Sequence, residues 1–526
     1  MQAKKDLIKH LWTFLLIISA AGIVLDLTVI RHGVGATGDA IWYMQGAENI
    51  LKGYGYGILL GNGFMPITIF PPFYSIFLAG FGWFGISIYN MAGVLNALLL
   101  GVNIYLTGWI IYQLTRSAVA SIVAGTFTFL CFDLFVIHTW AMSEPLFLTL
   151  TLLSLLSIIH YQKKGRIHFL ILAGLLSGLS VITRYVGISL GIALCLWILF
   201  FGKGNIKKRC LDLVILGILS LLPVVVFFIH NAILGVVITG RATLVFQTFS
   251  KENYAELILA FNSWFFPGIN NLLPWFFKKV LFFGLVLSST VLFFFSVRHS
   301  HQTENDDQRL LTHFEYLALF YLIIYGLTFM GSTYLSITTW TASQIPRYLV
   351  PIYPVFIILV VLIFLRVHPA ISGRSKVFGG VAICLGFAIL GLYIYNFSTL
   401  YKKGINLGYT DIKNNFPALV NELKSIDPNR PLIASNYELI TFLAGRPAYS
   451  MPEETDVLTG ITNPNLPQML AKITDLINHK GVLAVFRTSP DETFYFDSMI
   501  KNMTLLGNYG NGWISISLYT KPSEGE

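Results

Sequence analysis

Apolar residues in this chain come in long unbroken runs, where a soluble fold would alternate apolar with polar positions. From Leu11 to Asn396, runs of about twenty residues recur, separated by short polar or basic loops. Coiled as α-helices, such runs cross a hydrocarbon layer of about 30 Å. Helices are the required form, because lipid offers no partner to open backbone groups. The pattern predicts about eleven transmembrane helices, over residues 11–30, 91–113, 118–137, 145–161, 168–184, 186–202, 211–229, 276–297, 313–331, 349–366 and 377–396.

Basic residues sit in the gaps, at Lys4–Lys9, Lys163–Arg166, Lys203–Arg209 and Arg366–Lys376. With the N-terminus inside, the loops 114–117, 161–168, 203–210, 298–312 and 366–376 are cytoplasmic and carry most of the Lys and Arg of this half. Phe70–Ile86 is apolar enough to span, yet counting it would reverse every later helix and put the basic loops outside. It is therefore expected to lie on the outer surface as an interfacial helix, opened by Pro71-Pro72.

After Asn396 the pattern changes. Residues 401–526 hold 13 of the 26 carboxylates and alternate helical with strand-like periods. Helices are expected at Ile412–Ile426, Tyr437–Ala444 and Leu466–Asn478, strands at Pro431–Ala434 and Val482–Phe486, and a hairpin across Leu505–Tyr519. The expected fold is an all-α polytopic membrane domain over 1–400, with a first external loop at 31–90. A small extracytoplasmic α/β domain follows over 401–526. That second domain lacks a glycine-rich phosphate loop and reads as a cap or acceptor-docking module.

Composition agrees with a lipid environment: 55% of 526 residues are hydrophobic and 12% charged, and the mean hydropathy is +0.69. The net charge of +9 is a topology signal, since the basic residues cluster between apolar spans, and no nucleic acid is expected as a partner. Cys131, Cys195, Cys210 and Cys384 show no metal-ligand spacing. No small-residue cleavage site follows the first apolar segment, which reads as an uncleaved first helix.

Charges near membrane depth are costly and therefore informative. Of the 13 carboxylates before residue 401, Asp6, Asp212, Glu304, Asp306, Asp307 and Glu315 belong to cytoplasmic ends, and Asp26 falls late in the first helix. Asp39, Glu48, Asp133, Glu144, Glu252 and Glu256 remain on the outer side. Asp39, in Thr37-Gly-Asp-Ala-Ile-Trp-Tyr, suits either a helix N-cap or a functional acid. Glu144, in Ser143-Glu-Pro-Leu-Phe, suits the positive end of a helix whose first turn takes proline. Arg184, Arg241 and Arg347 face the same side, where they could snorkel or hold phosphate. Together with the two acids they suit a phosphate-bearing lipid and a nucleophile that needs a base.

Several pieces of the chain resemble the polytopic glycosyltransferases of the GT-C fold, the group of dolichyl-phosphate-mannose protein mannosyltransferases and bacterial aminoarabinose transferases. These are Gly38-Asp-Ala-Ile-Trp-Tyr with Ala47-Glu-Asn-Ile-Leu-Lys-Gly, Phe70-Pro-Pro-Phe-Tyr, Ser143-Glu-Pro-Leu-Phe, Ala173-Gly-Leu-Leu-Ser-Gly-Leu with Thr183-Arg, and Arg347-Tyr-Leu-Val-Pro. They occur in family order over roughly residues 1–370. The resemblance implies that Asp39 is the catalytic acid of the external loop and Glu144 a second acid. Many members carry Asp-Glu where this chain has Asp39-Ala40.

What the resemblance implies is inverting transfer of a sugar, a hexosyl or pentosyl group, from a polyprenyl-phosphate donor. The acceptor, a glycolipid, polysaccharide or protein, would lie on the external face of the cytoplasmic membrane. Arg184, Arg347 and Arg241 would bind the donor phosphate, and Glu48 and Tyr348 would contact donor or acceptor. No cofactor follows with certainty, although a divalent cation could share the phosphate charge. The competing classes are a lipid or polysaccharide transporter and a non-catalytic assembly subunit. The chain shows no internal repeat of the kind transporters carry.

Overall fold

A computed structural model of the protein describes residues 2–236, 250–300, 306–335, 344–372, 376–454, 462–489, 492, 494–510 and 514–522. The chain divides into two compact units. One takes Met1–Val29, Gly93–Ile238 and Phe246–Ile405, and the other takes Ile30–Ala92 and Asn406–Glu526.

Among its described residues the first unit is built of helices joined by short turns. Each stretch expected to be a transmembrane helix falls on helix. Among the described residues seven helices are long and apolar enough to cross a membrane, from His10–His32 to Gly379–Lys403. An eighth arises if Ala118–Leu130 and Phe132–His138, bent by 62°, form one broken span. The break falls at Cys131, whose backbone is extended, and Asp133 then occupies the first turn of the second piece. Ile167–Thr183 and Tyr185–Phe201 are apolar but shorter. This is a multi-pass membrane protein, and its helix surfaces match: on Ile206–Ile233 the side chains of Ile218, Val225, Val226 and Ile229 are left exposed.

Contacts inside this unit depend on small residues. A Cβ on Gly178 would lie 2.5 Å from the carbonyl of Leu219, and one on Gly174 would lie 2.9 Å from Leu219 Cβ. Two glycines four apart therefore let Ile167–Thr183 and Ile206–Ile233 approach at backbone distance. One end of the bundle is tied by charge. Asp212, buried, accepts from the Tyr161 hydroxyl and pairs with Lys208 at 2.8 Å, and Arg366 meets Glu315 at 2.9 Å. Tyr161 lies near the C-terminal end of the helix Glu144–Lys164. The opposite end of that helix, about 30 Å away at 1.5 Å per residue, starts at Glu144.

The second unit joins segments more than three hundred residues apart. Ala36 and Gly408 form a parallel β-bridge, with the amide of Ala36 on the carbonyl of Leu407 at 3.1 Å and that of Tyr409 on Ala36 at 2.9 Å. The Thr410 hydroxyl donates to the Val34 carbonyl at 2.5 Å. Gly33 makes the approach feasible: its φ is +127°, and a Cβ there would collide with the Tyr89 hydroxyl at 2.1 Å.

Within this unit the helix Gly38–Leu51 leads into a hairpin of β1 (Gly57–Leu60) and β2 (Gly63–Pro66). The apolar pattern left that hairpin unseen, because its strands are four residues each and only Gly57 and Ile58 are fully buried. Phe73–Gly82 follows. At ten residues it is about 15 Å long, too short to cross a bilayer. Trp83 and Phe84, just after it, are 86% and 82% exposed, as aromatic residues at a headgroup boundary would be.

The C-terminal part forms a five-stranded sheet in the order β4-β3-β5-β7-β6, from β3 (Leu432–Ala434), β4 (Tyr449–Ser450), β5 (Val482–Arg487), β6 (Thr504–Gly510) and β7 (Ser515–Thr520). β3 pairs parallel with β4 and β5, and β6 and β7 form the expected antiparallel pair. Leu419, Leu423, Leu439 and Ile440 pack on one group of sheet residues, while Ile473 and Ile477 pack on another. The single helix expected over 412–426 is two, Tyr409–Asn415 and Pro417–Ser425. Pro417 lacks an N–H and pushes Phe416 out of the helical region, to φ −122° and ψ 61°.

Candidate active site

In the membrane unit the site is built at helix starts and breaks. Glu144 opens Glu144–Lys164 with Pro145 behind it, so the helix N-terminus faces a carboxylate. Arg184 stands in extended backbone where Ile167–Thr183 ends. Arg347 sits in the five-residue helix Ile345–Leu349, opened by Pro346.

These three side chains meet. Both guanidinium groups converge on one oxygen, Oε1 of Glu144: Arg347 Nε at 2.7 Å and Arg184 Nη1 at 2.9 Å. The Glu144 side chain is 1% exposed, against 12% for Arg184 and 20% for Arg347. Oε2 of Glu144 is buried and makes no hydrogen bond among the described residues. Arg184 also donates to the Ser143 hydroxyl at 3.2 Å, and Arg347 Nη2 reaches the thioether of Met142 at 3.2 Å. Tyr348 lies under both cations, 5.6 Å and 5.5 Å from ring centre to guanidinium carbon. In the ion pairs found among the described residues, one carboxylate faces two guanidiniums, a formal excess of one positive charge. Arg347 meanwhile spends a strong donor on sulfur, a weak acceptor that an anionic oxygen would outcompete.

A buried polar net supports this end. Asn96 donates to the carbonyls of Trp140 at 2.6 Å and Met142 at 3.2 Å, fixing the segment ahead of Glu144. Asn103 contacts Nε2 of His138 at 3.1 Å and the Pro145 carbonyl at 3.3 Å, and accepts from Thr149 at 2.7 Å. These residues escaped the reading by charge. The signal for them was present, since Asn96 and Asn103 are seven apart, two helical turns, on one face of an apolar helix.

In the other unit Asp39 sits in the first turn of Gly38–Leu51, where the helix dipole favours an acid. The N-cap position belongs to Thr37, so Asp39 is not the cap suggested by the sequence but lies two residues past it. Trp42, one turn on, donates its indole N–H to Oε1 of Glu438 at 3.3 Å. Glu438 is again in a first turn, that of Tyr437–Ala444, which Asn436 caps through the amide of Leu439 at 2.9 Å. Asn436 also bonds the Tyr409 hydroxyl at 3.1 Å. Burial, followed by the charges of Glu438 and Asp39, pushes that hydroxyl up to about 12, so Tyr409 stays neutral at physiological pH.

Glu48 is exposed on the same helix and pairs with Lys52 at 3.8 Å, an ordinary surface i,i+4 pair. Arg241 lies outside the described residues. Among the described residues no three His, Cys, Asp or Glu side chains gather as a metal-holding group.

No sequence-family model matches the chain, and no curated protein matches it by sequence. Its fold matches solved structures. ArnT from Cupriavidus metallidurans in the apo state is 13% identical with a TM-score of 0.62, covering 97% of this chain and 99% of that one. The same enzyme bound to undecaprenyl phosphate gives 0.57 at the same coverage. The archaeal oligosaccharyltransferase AglB from Archaeoglobus fulgidus, in complex with an inhibitory peptide and a dolichol-phosphate, gives 0.50 at 11% identity, covering 90% of this chain and 69% of its own. Arabinofuranosyltransferase AftD from Mycobacteria gives 0.53 at 12% identity, over 98% of this chain and 42% of its own. The fold is the GT-C fold that the motifs led one to expect, and at these identities the likeness is one of fold.

The buried cluster yields a stability test. Glu144→Gln keeps the shape of the side chain but leaves two guanidiniums without their anion, a loss of about 3–5 kcal/mol for breaking such a pair. The purified variant should melt well below the wild type in a thermal shift assay, and an unchanged midpoint would show that the carboxylate is not the tie.

Proposed function

We propose that this protein is an integral membrane glycosyltransferase that moves a sugar, with inversion, from a polyprenyl-phosphate donor to an acceptor on the external face of the cytoplasmic membrane. The observation that carries this reading is the pair of arginines held on one oxygen of buried Glu144, with an excess positive charge, in a fold shared with an enzyme solved with undecaprenyl phosphate. In this reading Arg184 and Arg347 hold the donor phosphate, Glu144 orients them, and Tyr348 backs them.

Asp39 acts as the base. It accepts the proton of the acceptor hydroxyl as that oxygen attacks the anomeric carbon, and the bond from that carbon to the phosphate oxygen breaks. The lipid phosphate leaves as an anion, so it needs charge stabilisation more than a proton, which fixed guanidiniums supply. The N-terminus is taken as cytoplasmic and the α/β sheet domain as external, on the distribution of Lys and Arg along the chain.

Three experiments test these assignments. Asp39→Asn should fold and insert normally yet lose roughly 100- to 10,000-fold in transfer, because an amide cannot take the proton. Near-normal turnover by that purified variant would remove Asp39 as the base. Arg347→Ala should weaken donor use more than Arg347→Lys, since lysine keeps the charge and loses the planar fork. Equal donor KM in wild type and Arg347→Ala would reduce the residue to a structural anchor. For sidedness, Ser425→Cys in a background with Cys210 and Cys384 replaced by serine should react with an impermeant maleimide added outside intact cells; reaction only after permeabilisation would reverse the topology.

A further inference from the structure

The second unit contains an open cavity of about 590 Å³. Three separate pieces of the chain wall it: the turn between β1 and β2, the residues at and after β4, and the helix Leu466–Asn478. Its buried lining is apolar, with Met451 and Ile473 each 5% exposed, and half-buried Leu60 and Tyr449 continue it outward. Its exposed lining is polar, and Asn62, Glu453, Thr462 and Lys472 offer both donors and acceptors there.

Hydrogen bonds hold these walls in place. The Gly61 amide donates to the Ala448 carbonyl at 3.1 Å, and a Cβ on Gly61 would lie 2.2 Å from the Tyr449 ring, so glycine lets the turn close on the tyrosine. The Tyr495 hydroxyl donates to the Pro452 carbonyl. Asn463 donates to the Glu453 carbonyl at 3.2 Å through its side chain and to the Glu454 carbonyl at 2.9 Å through its amide. The cavity also adjoins the helix that carries Asp39. Burial foremost, then the carboxylate of Glu438 and more weakly that of Glu453, raise the pKa of the Tyr437 hydroxyl, which is hydrogen-bonded to Glu438 and Trp42. Glu453 at the cavity is thus within electrostatic reach of a group that touches Gly38–Leu51.

We infer that this cavity binds a neutral saccharide, the part of the acceptor that does not react, and that the acceptor is therefore a glycan or glycolipid. Its assignment to the acceptor rests on the proposed transfer at Asp39. The volume lies within the range of roughly 300–1,000 Å³ usual for small-molecule sites. A sugar ring is apolar on its C–H surface and polar at its edge, which matches an apolar floor under a rim of amide, hydroxyl, carboxylate and ammonium groups. Glu453 and Lys472 carry opposite charges, so the rim favours neither an anion nor a cation. A hydrocarbon chain would use the floor and gain nothing from the rim. An extended peptide would add to the free edge of β4, and the Gly61 amide already occupies that edge at Ala448. Holding a remote part of the acceptor restricts where its reacting hydroxyl lies.

The test uses the full-length protein in nanodiscs, with neutral oligosaccharides released by mild acid from the envelope of the cells that make it as the probe. Saturation-transfer NMR and titration read binding. Met469→Trp places a larger side chain into the cavity from a helix position that is 44% exposed, and Lys472→Ala removes a rim donor at an exposed helix position, so both variants should fold. The expected result is binding by the wild type, with Kd raised about tenfold or more in each variant, the loss expected for one hydrogen bond to a charged group. In transfer assays with the same oligosaccharides the acceptor KM should rise by a similar factor while kcat stays near that of the wild type. Absence of binding by every fraction, a wild-type Kd in both variants, or capture of a fatty acid or a peptide in place of the saccharide would each overturn the inference. The two readings fail separately: saccharide binding lost in Met469→Trp, by a protein that transfers no sugar, defeats the proposed transfer and keeps the site. Transfer with a wild-type acceptor KM in both variants defeats the site alone.

Discussion

The membrane unit is organised around a single buried oxygen. A carboxylate that is 1% exposed would cost several kcal/mol without compensation, and here two guanidiniums answer it at 2.7 and 2.9 Å. The compensation works in both directions, since Glu144 also fixes where Arg184 and Arg347 point. Much of the local backbone serves this contact. Pro145 starts the helix so that its amides face the acid, Asn96 holds the carbonyls of Trp140 and Met142, and Asn103 ties Pro145 to His138. The opposite end of the bundle has its own ties at Asp212 and Glu315, which pair with Lys208 and Arg366. Among the described residues the cluster at Glu144 sets two cations against one acid, the imbalance on which the proposed phosphate site rests.

The other unit depends on a strand-like bridge between Ala36 and Gly408. That bridge lies just ahead of the helix carrying Asp39 and just ahead of the sheet domain, so it fixes the first loop and the C-terminal segment as one body. Further contacts reinforce it: the amide of Gly61 reaches the Ala448 carbonyl at 3.1 Å, and Asn414 reaches His32 at 3.2 Å. A domain tied in this way does more than cover a loop. It contributes Glu438, Tyr409 and Asn436 to the surroundings of Asp39.

How much of this could be read from the chain follows from the range of the interactions. Apolar runs locate the helices because lipid forces every backbone group to pair within its own segment, which makes the pattern local. The same logic located β5, β6 and β7, whose alternation and turn residues are also local. It failed at Cys131, where one run covers two helices, and at Pro417, where a proline that does signal a boundary was absorbed into a single helix. It missed β1 and β2, which are four residues each, too short to show a period. The cluster at Glu144 was half legible. Side and charge were visible at Glu144, Arg184 and Arg347, whereas their meeting on one oxygen is a tertiary fact. Glu438 carried no local sign, because its partner Trp42 is 396 residues away.

The two charge clusters differ in sign, and in the proposed transfer each sign would serve a different reactant. A glycosyl phosphate donor keeps a negative phosphate throughout and gains charge on the bridging oxygen as the bond breaks. Fixed guanidiniums stabilise that charge without reorganising, and a lysine there would retain charge but not direction. An acceptor hydroxyl is neutral and must lose a proton, which a carboxylate can take and an arginine cannot. Had both clusters been positive, the phosphate would be held with nothing to activate the acceptor. Had both been negative, the donor would be repelled. Glu144 belongs to the positive cluster despite its own charge. Both arginines bind one of its oxygens, so its charge is spent on holding them, and the proposed base is the acid in the half-buried first turn of Gly38–Leu51.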